Sequence, residues 1–471
     1  MRGLEILGSV ASVLAAAPAC ASATSNRKPE IQRLPPLREQ AVLVDGWTEE
    51  RKALIPGLLR KYRVDAWLIS QREYAEDTVF WALKDATQFS APRRTTHLFL
   101  AEPLPNTTAR AYSWIDNTPA VWADLRRVLA AVGPPATVSV ALNTHAEIAF
   151  AGGLHAGERD ALYAGLGVDA GDAGGDAQRL TRDRFVLRPM LAVEFVATMV
   201  PGRLPWYRRM METAWAIIEE AFSEAVIAPG QSTSWDVEWW MREKIQALNY
   251  TTWFQPSVFI LTGDGFLAAD DFVAAMDDPR APDRPIQYGD LIHTDFGLSA
   301  LGLNTDTQHL GYVLYPGETE ADVPKGMVEG LKKANRLQDI VKGNMKIGAT
   351  GNEILKASLE QMRREGIEGK IYCHATGEWG HSAGALIGMT NLQDKVPVLG
   401  DLPLLKNTYY SIELYAEHFV PERNRTIVFP QEEDVYWDEA KNSWEWVYGR
   451  QEELLLIRTP AEDIRTILEE L

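Results

Sequence analysis

Leu291-Ile292-His293-Thr294-Asp295-Phe296-Gly297 is followed closely by Leu303-Asn304-Thr305-Asp306-Thr307. Both stretches read as strands, with Gly302 at a turn between them. A hairpin of this kind lets Asp295 and Asp306 point to one face. An aspartate inside an apolar strand is costly unless a cation or several donors meet it. Two on one face repel each other unless a dication sits between them. The competing reading is a pair of turn-capping aspartates. It fits less well, because both lie within strand-like runs and not at turn tips.

Three more segments add donors. Gly380-His381-Ser382-Ala383-Gly384 sets a histidine between glycines, where the backbone can come close. Tyr410-Ser411-Ile412-Glu413-Leu414 places a glutamate in an aromatic and β-branched run. Gln431-Glu432-Glu433-Asp434-Val435 follows the expected strand Thr426 to Phe429, and alone it reads as a solvated acidic turn. In chain order Asp295, Asp306, His381, Glu413 and Glu432 make a fitting inventory for two divalent ions. An oxygen-rich set suits Mn²⁺ better than a closed structural Zn²⁺ site, with Zn²⁺ and Co²⁺ as alternatives. His374 stands seven residues before His381 and competes with it as the ligand; the glycine context favours His381. On a strand, His293 shares the face of Asp295. For both His293 and His374 the plainer reading is a hydrogen-bonded core histidine.

Working outward, the segment from about 201 to 471 shows the same order twice. A long helical stretch from Pro205 to Ala228 precedes Thr233-x-x-Asp236, which has capping-box spacing and opens a helix to Leu248. A second helical stretch, Gly326 to Lys342, precedes Thr350-x-x-Glu353, which opens a helix to Arg364. Each pair is followed by β-like sequence. This hints at an internal duplication, with a pocket at the junction of the halves. Before it, residues 46–200 alternate helices and strands and suggest a small α/β domain. Its expected elements are a helix from Trp47 to Tyr62, strands at 65–70, 97–101, 109–114 and 137–142, and a helix from Trp122 to Val132. Residues 24–45 are polar and Pro-rich and are expected to form an extended lead-in.

The 471 residues carry a net charge of −18 and no dense Lys/Arg block. This argues against nucleic acid as a partner. Residues 1–23 read as an export signal, with Arg2, an apolar run from Ile6 to Ala19, and Ala21-Ser22-Ala23 as a cleavage site. The run is too short to span a bilayer. The protein is therefore expected to be secreted or periplasmic, with Cys20 as a candidate lipid anchor. Removing the leader leaves Cys373 as the one thiol, so no disulfide within the chain is expected.

Asp295-x10-Asp306, Gly-His381-x-x-Gly, Ile-Glu413 and Glu432-x-x-Val together resemble the pita-bread metallopeptidase superfamily: methionine aminopeptidase, aminopeptidase P, prolidase and the metal-free creatinase. The likeness covers the mature chain. It implies an α+β protein with a small creatinase-like α/β N-terminal domain followed by a pseudo-symmetric pita-bread domain, and a homodimer. Carried over by position, Asp295 would bind one metal, Asp306 and Glu432 would bridge both, and His381 and Glu413 would complete the second. The implied chemistry is attack of a metal-bridging hydroxide on an amide carbonyl, with Glu413 moving protons. The implied substrate is a peptide with proline after its first residue, or a dipeptide ending in proline; the partner expected is thus a peptide or small amide. Peptidases of this kind also carry a histidine upstream of the first aspartate and another seven residues after the ligand histidine. Thr252 to Ile292 contains none, and seven residues after His381 stands Gly388. His374 and His293 are the candidate replacements. Two alternatives follow: a metalloenzyme turned to a non-peptide C–N or other small-molecule substrate, or a peptidase-inactive binding module.

Overall fold

The computed structural model describes residues 28–134, 137–168, 180–263, 272–274 and 284–459. The expected leader at 1–23, with Cys20, lies outside the described residues, as does most of the Gly/Asp-rich stretch 165–175, whose sequence reads as a loop.

A first sheet holds β1 (Ala66–Arg72), β2 (Arg94–Leu100), β3 (Ala111–Ile115), β4 (Val140–Leu142) and β5 (Phe185–Leu187), in the order β3-β2-β1-β4-β5. β1 runs antiparallel to β2 and parallel to β4. Strand alternation divides its core. Ala66 and Leu68 face the helices Ala120–Val132 and Ala156–Leu166, whose Leu125, Leu129 and Leu162 are buried against them. Trp67 and Ile69 face the other way, toward Ile55 and Phe195. The helical stretch expected from Trp47 to Tyr62 is two helices, Leu37–Lys52 and Ile55–Lys61. The first begins inside the supposed lead-in. Pro35-Pro36 made that stretch look extended, but proline is well suited to precede a first helical turn. Pro56 then starts the second helix.

The second sheet is nine-stranded. It contains β6 (Ser257–Ile260), β7 (Leu291–Phe296), β10 (Thr307–Val313), β11 (Glu368–Ile371), β12 (His374–Thr376), β13 (Tyr409–Val420), β14 (Arg425–Asp438), β15 (Ser443–Trp446) and β16 (Leu455–Ile457). Its main path is β11-β13-β14-β10-β7-β6. A two-stranded hairpin, β8 (Ser299–Ala300) with β9 (Leu303–Asn304), links β7 to β10.

The duplication expected from the two capped helices has a structural counterpart. Both capping boxes form, at Ser234–Ala247 with Thr233 and Asp236, and at Gly351–Arg364 with Thr350 and Glu353. Each capping threonine also bridges to a proline, Thr233 to Pro285 and Thr350 to Pro403. Asp295 lies ten residues after Pro285 and Glu413 ten after Pro403. The two halves thus deliver an acid to the middle of the sheet by the same path. The preceding helices are Leu204–Ala221, shorter than expected, and Lys325–Asn344. Among the described residues no helix is long and apolar enough to cross a membrane.

Candidate metal centre

Residues directly opposite each other in antiparallel strands share a face. In β7, β10, β14 and β13 the partners run Asp295–Gln308, Gln308–Glu432 and Glu432–Glu413. One row across the sheet therefore carries three acids and one amide. β12 pairs His374 with Ser411, two residues before Glu413 on the same face. Asp306 lies just ahead of β10, and its backbone N–H donates to Asp434 Oδ2 at 3.1 Å. Three overlapping donor groups result, each within 4.8 Å: Asp295, Asp306 and Glu432; His374, Glu413 and Glu432; Asp306, His374 and His381.

The structure brings His374 into the carboxylates. Its Nε2 is 3.4 Å from Glu432 Oε1, 3.6 Å from Asp306 Oδ2 and 3.9 Å from Glu413 Oε2. His381 stands outside it, more exposed, with its ring edge-on to His374 at 4.5 Å and to Trp253 at 5.2 Å. The glycine before His381 answers to that indole: a Cβ on Gly380 would lie 2.2 Å from the Trp253 ring. Gly388 is a backbone requirement too. Its φ is +82°, and a Cβ there would lie 2.0 Å from the Ile371 carbonyl oxygen. His293 is placed behind Gln308, buried between Phe259 and Phe272.

The acidic run at 431–434 is no turn. β14 continues through Asp438, and Gln431, Glu432, Glu433 and Asp434 are all buried. Strand alternation sends Glu432 and Asp434 into the centre and Glu433 to the back. There Glu433 meets His309 Nε2 at 2.9 Å and accepts from Thr307 Oγ1 and Trp215 Nε1. Asp434 also accepts from the Tyr207 hydroxyl at 2.9 Å. Ser411 donates a short hydrogen bond to Glu432 Oε1. Gln308, Asp434, Tyr207, Ser411 and Trp253 are parts of the site that sequence reading did not single out. For Asp434, the apolar Val435-Tyr436-Trp437 that continues the strand was the available signal.

The donor set fits divalent cations. Burial first, and then the neighbouring charges, push Asp295, Asp306 and Glu413 well above the usual carboxylate range. Burial raises Glu432 to about 7. So many buried acids cannot all ionise unless cations join them. Asp295 Oδ1, Asp306 Oδ1 and His374 Nε2 are buried and have no hydrogen-bond partner among the described residues. Burial also holds His374 down to about 4, in the neutral form that a metal needs.

Residues 209–441 match the model of metallopeptidase family M24. No curated protein matches the chain by sequence. Among solved structures, the X-Pro aminopeptidase from Thermotoga maritima MSB8 is 16% identical, with a TM-score of 0.54 over 85% of this chain and 99% of that one. The Pseudomonas aeruginosa aminopeptidase PepP is 15% identical, with a TM-score of 0.53 over 93% and 100%. At such identity the likeness speaks to fold, and it extends over the first sheet as well as the second. Over residues 209–441, which carry the whole acid row, the chain is similar to metallopeptidase family M24, and over both sheets it shares the fold of these two aminopeptidases.

Proposed function

We propose that the protein is a dinuclear-metal peptidase of Xaa-Pro aminopeptidase or prolidase type. The observation that carries this reading is the acid row with His374 set against it, where Asp295 Oδ1 and His374 Nε2 are buried without partners among the described residues. Asp295, Asp306 and Glu432 would hold one ion, and Asp306, His374, Glu413 and Glu432 the other. Mn²⁺ is the preferred metal on the chemistry of the donors. Such a pair supplies Lewis acidity and ionises water near neutral pH.

This assignment exchanges the two histidines. With His374 as the ligand, the residue seven further on is His381, the spacing the family resemblance implies for an accessory histidine. His381 lines the open side of the centre and would carry a proton to the leaving amine or hold the substrate carbonyl. Glu413 presents Oε2 toward His374 and would pass a proton across the centre. His293, walled in by two phenylalanines and engaged by Gln308, would serve the site from behind and carry no proton to substrate. A homodimer and export belong to the same proposal.

Trp253 favours a second reading. The segment Thr252 to Ile292 offers no histidine, and the Trp253 indole stands against His381 instead. An aromatic wall there suits a small non-peptide amide as well as a peptide. The test is metal analysis of the purified protein with a turnover screen of Xaa-Pro peptides and small amides. Two Mn²⁺ per chain with Xaa-Pro cleavage supports the first reading. Two Mn²⁺ with turnover of small amides alone supports the second, and no metal after incubation with Mn²⁺ overturns both.

A further inference from the structure

Gln308 is the neutral member of the acid row. Its Nε2 lies 2.6 Å from Glu413 Oε1 and 3.0 Å from Glu432 Oε2. Carboxylate oxygens accept, so the nitrogen of the carboxamide must face them and its oxygen must face away. That oxygen lies 2.9 Å from His293 Nε2. A carboxamide oxygen can only accept, which fixes the ring proton of His293 on Nε2. The ring itself has little freedom. It stacks on Phe259 at 6.0 Å and meets Phe272 edge-on at 5.6 Å. Both His293 and Gln308 are buried.

We propose that Gln308, oriented by His293, is a positioning residue that holds one oxygen of Glu413 and one of Glu432 and so turns their other oxygens toward His374. Those other oxygens are Glu413 Oε2 and Glu432 Oε1, at 3.9 and 3.4 Å from His374 Nε2. The inference rests on reading these three residues as metal ligands. A single amide with two hydrogens is matched to two neighbouring acceptors. It uses the oxygens nearest to it, fixes the rotation of both carboxylates and adds no charge to a crowded site. His293 prevents the flip that would aim the amide oxygen at the carboxylates, where it would repel them.

The chain of contacts predicts a chain of effects. Partners that orient metal ligands typically change metal affinity by about 10–100-fold when removed. Gln308→Met keeps the length of the side chain and removes both donors. In calorimetric titration of the metal-stripped full chain with Mn²⁺, it should weaken binding by that factor. His293→Leu should also weaken binding. The double variant should be no worse than Gln308→Met alone, because His293 acts through Gln308. A general loss of packing would instead make the two effects multiply. Melting in EDTA identifies folded variants, and should Gln308→Met fail to fold, His293→Leu carries the test, since it leaves the amide beside the carboxylates. A wild type that binds Mn²⁺ together with a folded Gln308→Met or His293→Leu of equal affinity overturns this inference alone. Multiplying effects overturn the link through His293. A wild type that binds no Mn²⁺ overturns the metal reading and this inference with it.

Discussion

His374 and His381 stand seven residues apart and should fail differently when removed. His374→Ala takes a nitrogen from among three carboxylates, so metal content should fall. His381→Ala leaves those contacts in place. Metal should stay, while turnover drops by about 10²–10⁴-fold if the ring is the proton carrier. Elemental analysis beside kcat separates the two; metal loss in His381→Ala with metal retained in His374→Ala would restore the assignment that glycine context first favoured. Asp306→Ala should remove most metal from both proposed positions, because Asp306 belongs to two of the three donor groups. The four acids that the structure gathers were legible as candidates, because ionisable groups in apolar sequence have few cheap explanations. The choice between the histidines was not. Glycines beside His381 signal close backbone approach, and here what approaches is an indole. Gln308 was invisible for a related reason: a neutral side chain gives no electrostatic signal until its neighbours are known.

At the scale of elements, capping chemistry was the most readable feature. Thr233 and Thr350 each cap a helix with the reciprocal bonds that their spacing implies. Thr350→Ala should cost about 1 kcal/mol, as loss of an N-cap typically does. A urea melt of the metal-stripped protein measures this, and an unchanged midpoint would show that the Thr350–Pro403 bridge carries the helix start without the cap. The cap's value lies in its own turn, so metal affinity should not change. The strand whose sequence pointed the wrong way was set by tertiary context: the central part of β14 carries three adjacent acids, which local propensity opposes. The strand survives because the acids find His309, Thr307, Trp215, Tyr207 and Ser411 on strands and helices remote in sequence. No window of sequence contains those partners.

At the scale of the whole molecule, the two sheets are tied together beside the candidate metal centre. Arg51, on the helix Leu37–Lys52, is fully buried and forms a short ion pair with Glu378, which lies between His374 and His381 in the chain. Arg51 also donates to the Ala82 carbonyl and lies over the Phe195 ring at 5.2 Å. Glu378 in turn offers its backbone carbonyl to Asn304 Nδ2 at 2.7 Å, just ahead of Asp306. A second strap runs the other way: Gln32, near the start of the described chain, donates its backbone N–H to Thr213 and accepts from the Tyr250 hydroxyl. The first sheet is thus coupled to the loop that positions His381. Removing one member of a largely buried pair leaves the other charge uncompensated, at about 3–5 kcal/mol. For Arg51→Met the lower end of that range is expected, because Arg203 stays 3.7 Å from Glu378. The loop should also loosen, lowering kcat more than metal affinity, since His374 sits on β12 and is paired to β13 independently of Glu378. Glu378→Gln in the Arg51→Met background should recover part of the stability by removing the stranded charge. Denaturation midpoints of the single and double variants, read with Mn²⁺ titrations, test this. A double variant less stable than Arg51→Met would mean that Glu378 serves chiefly Arg203 and that the first sheet is held by packing alone.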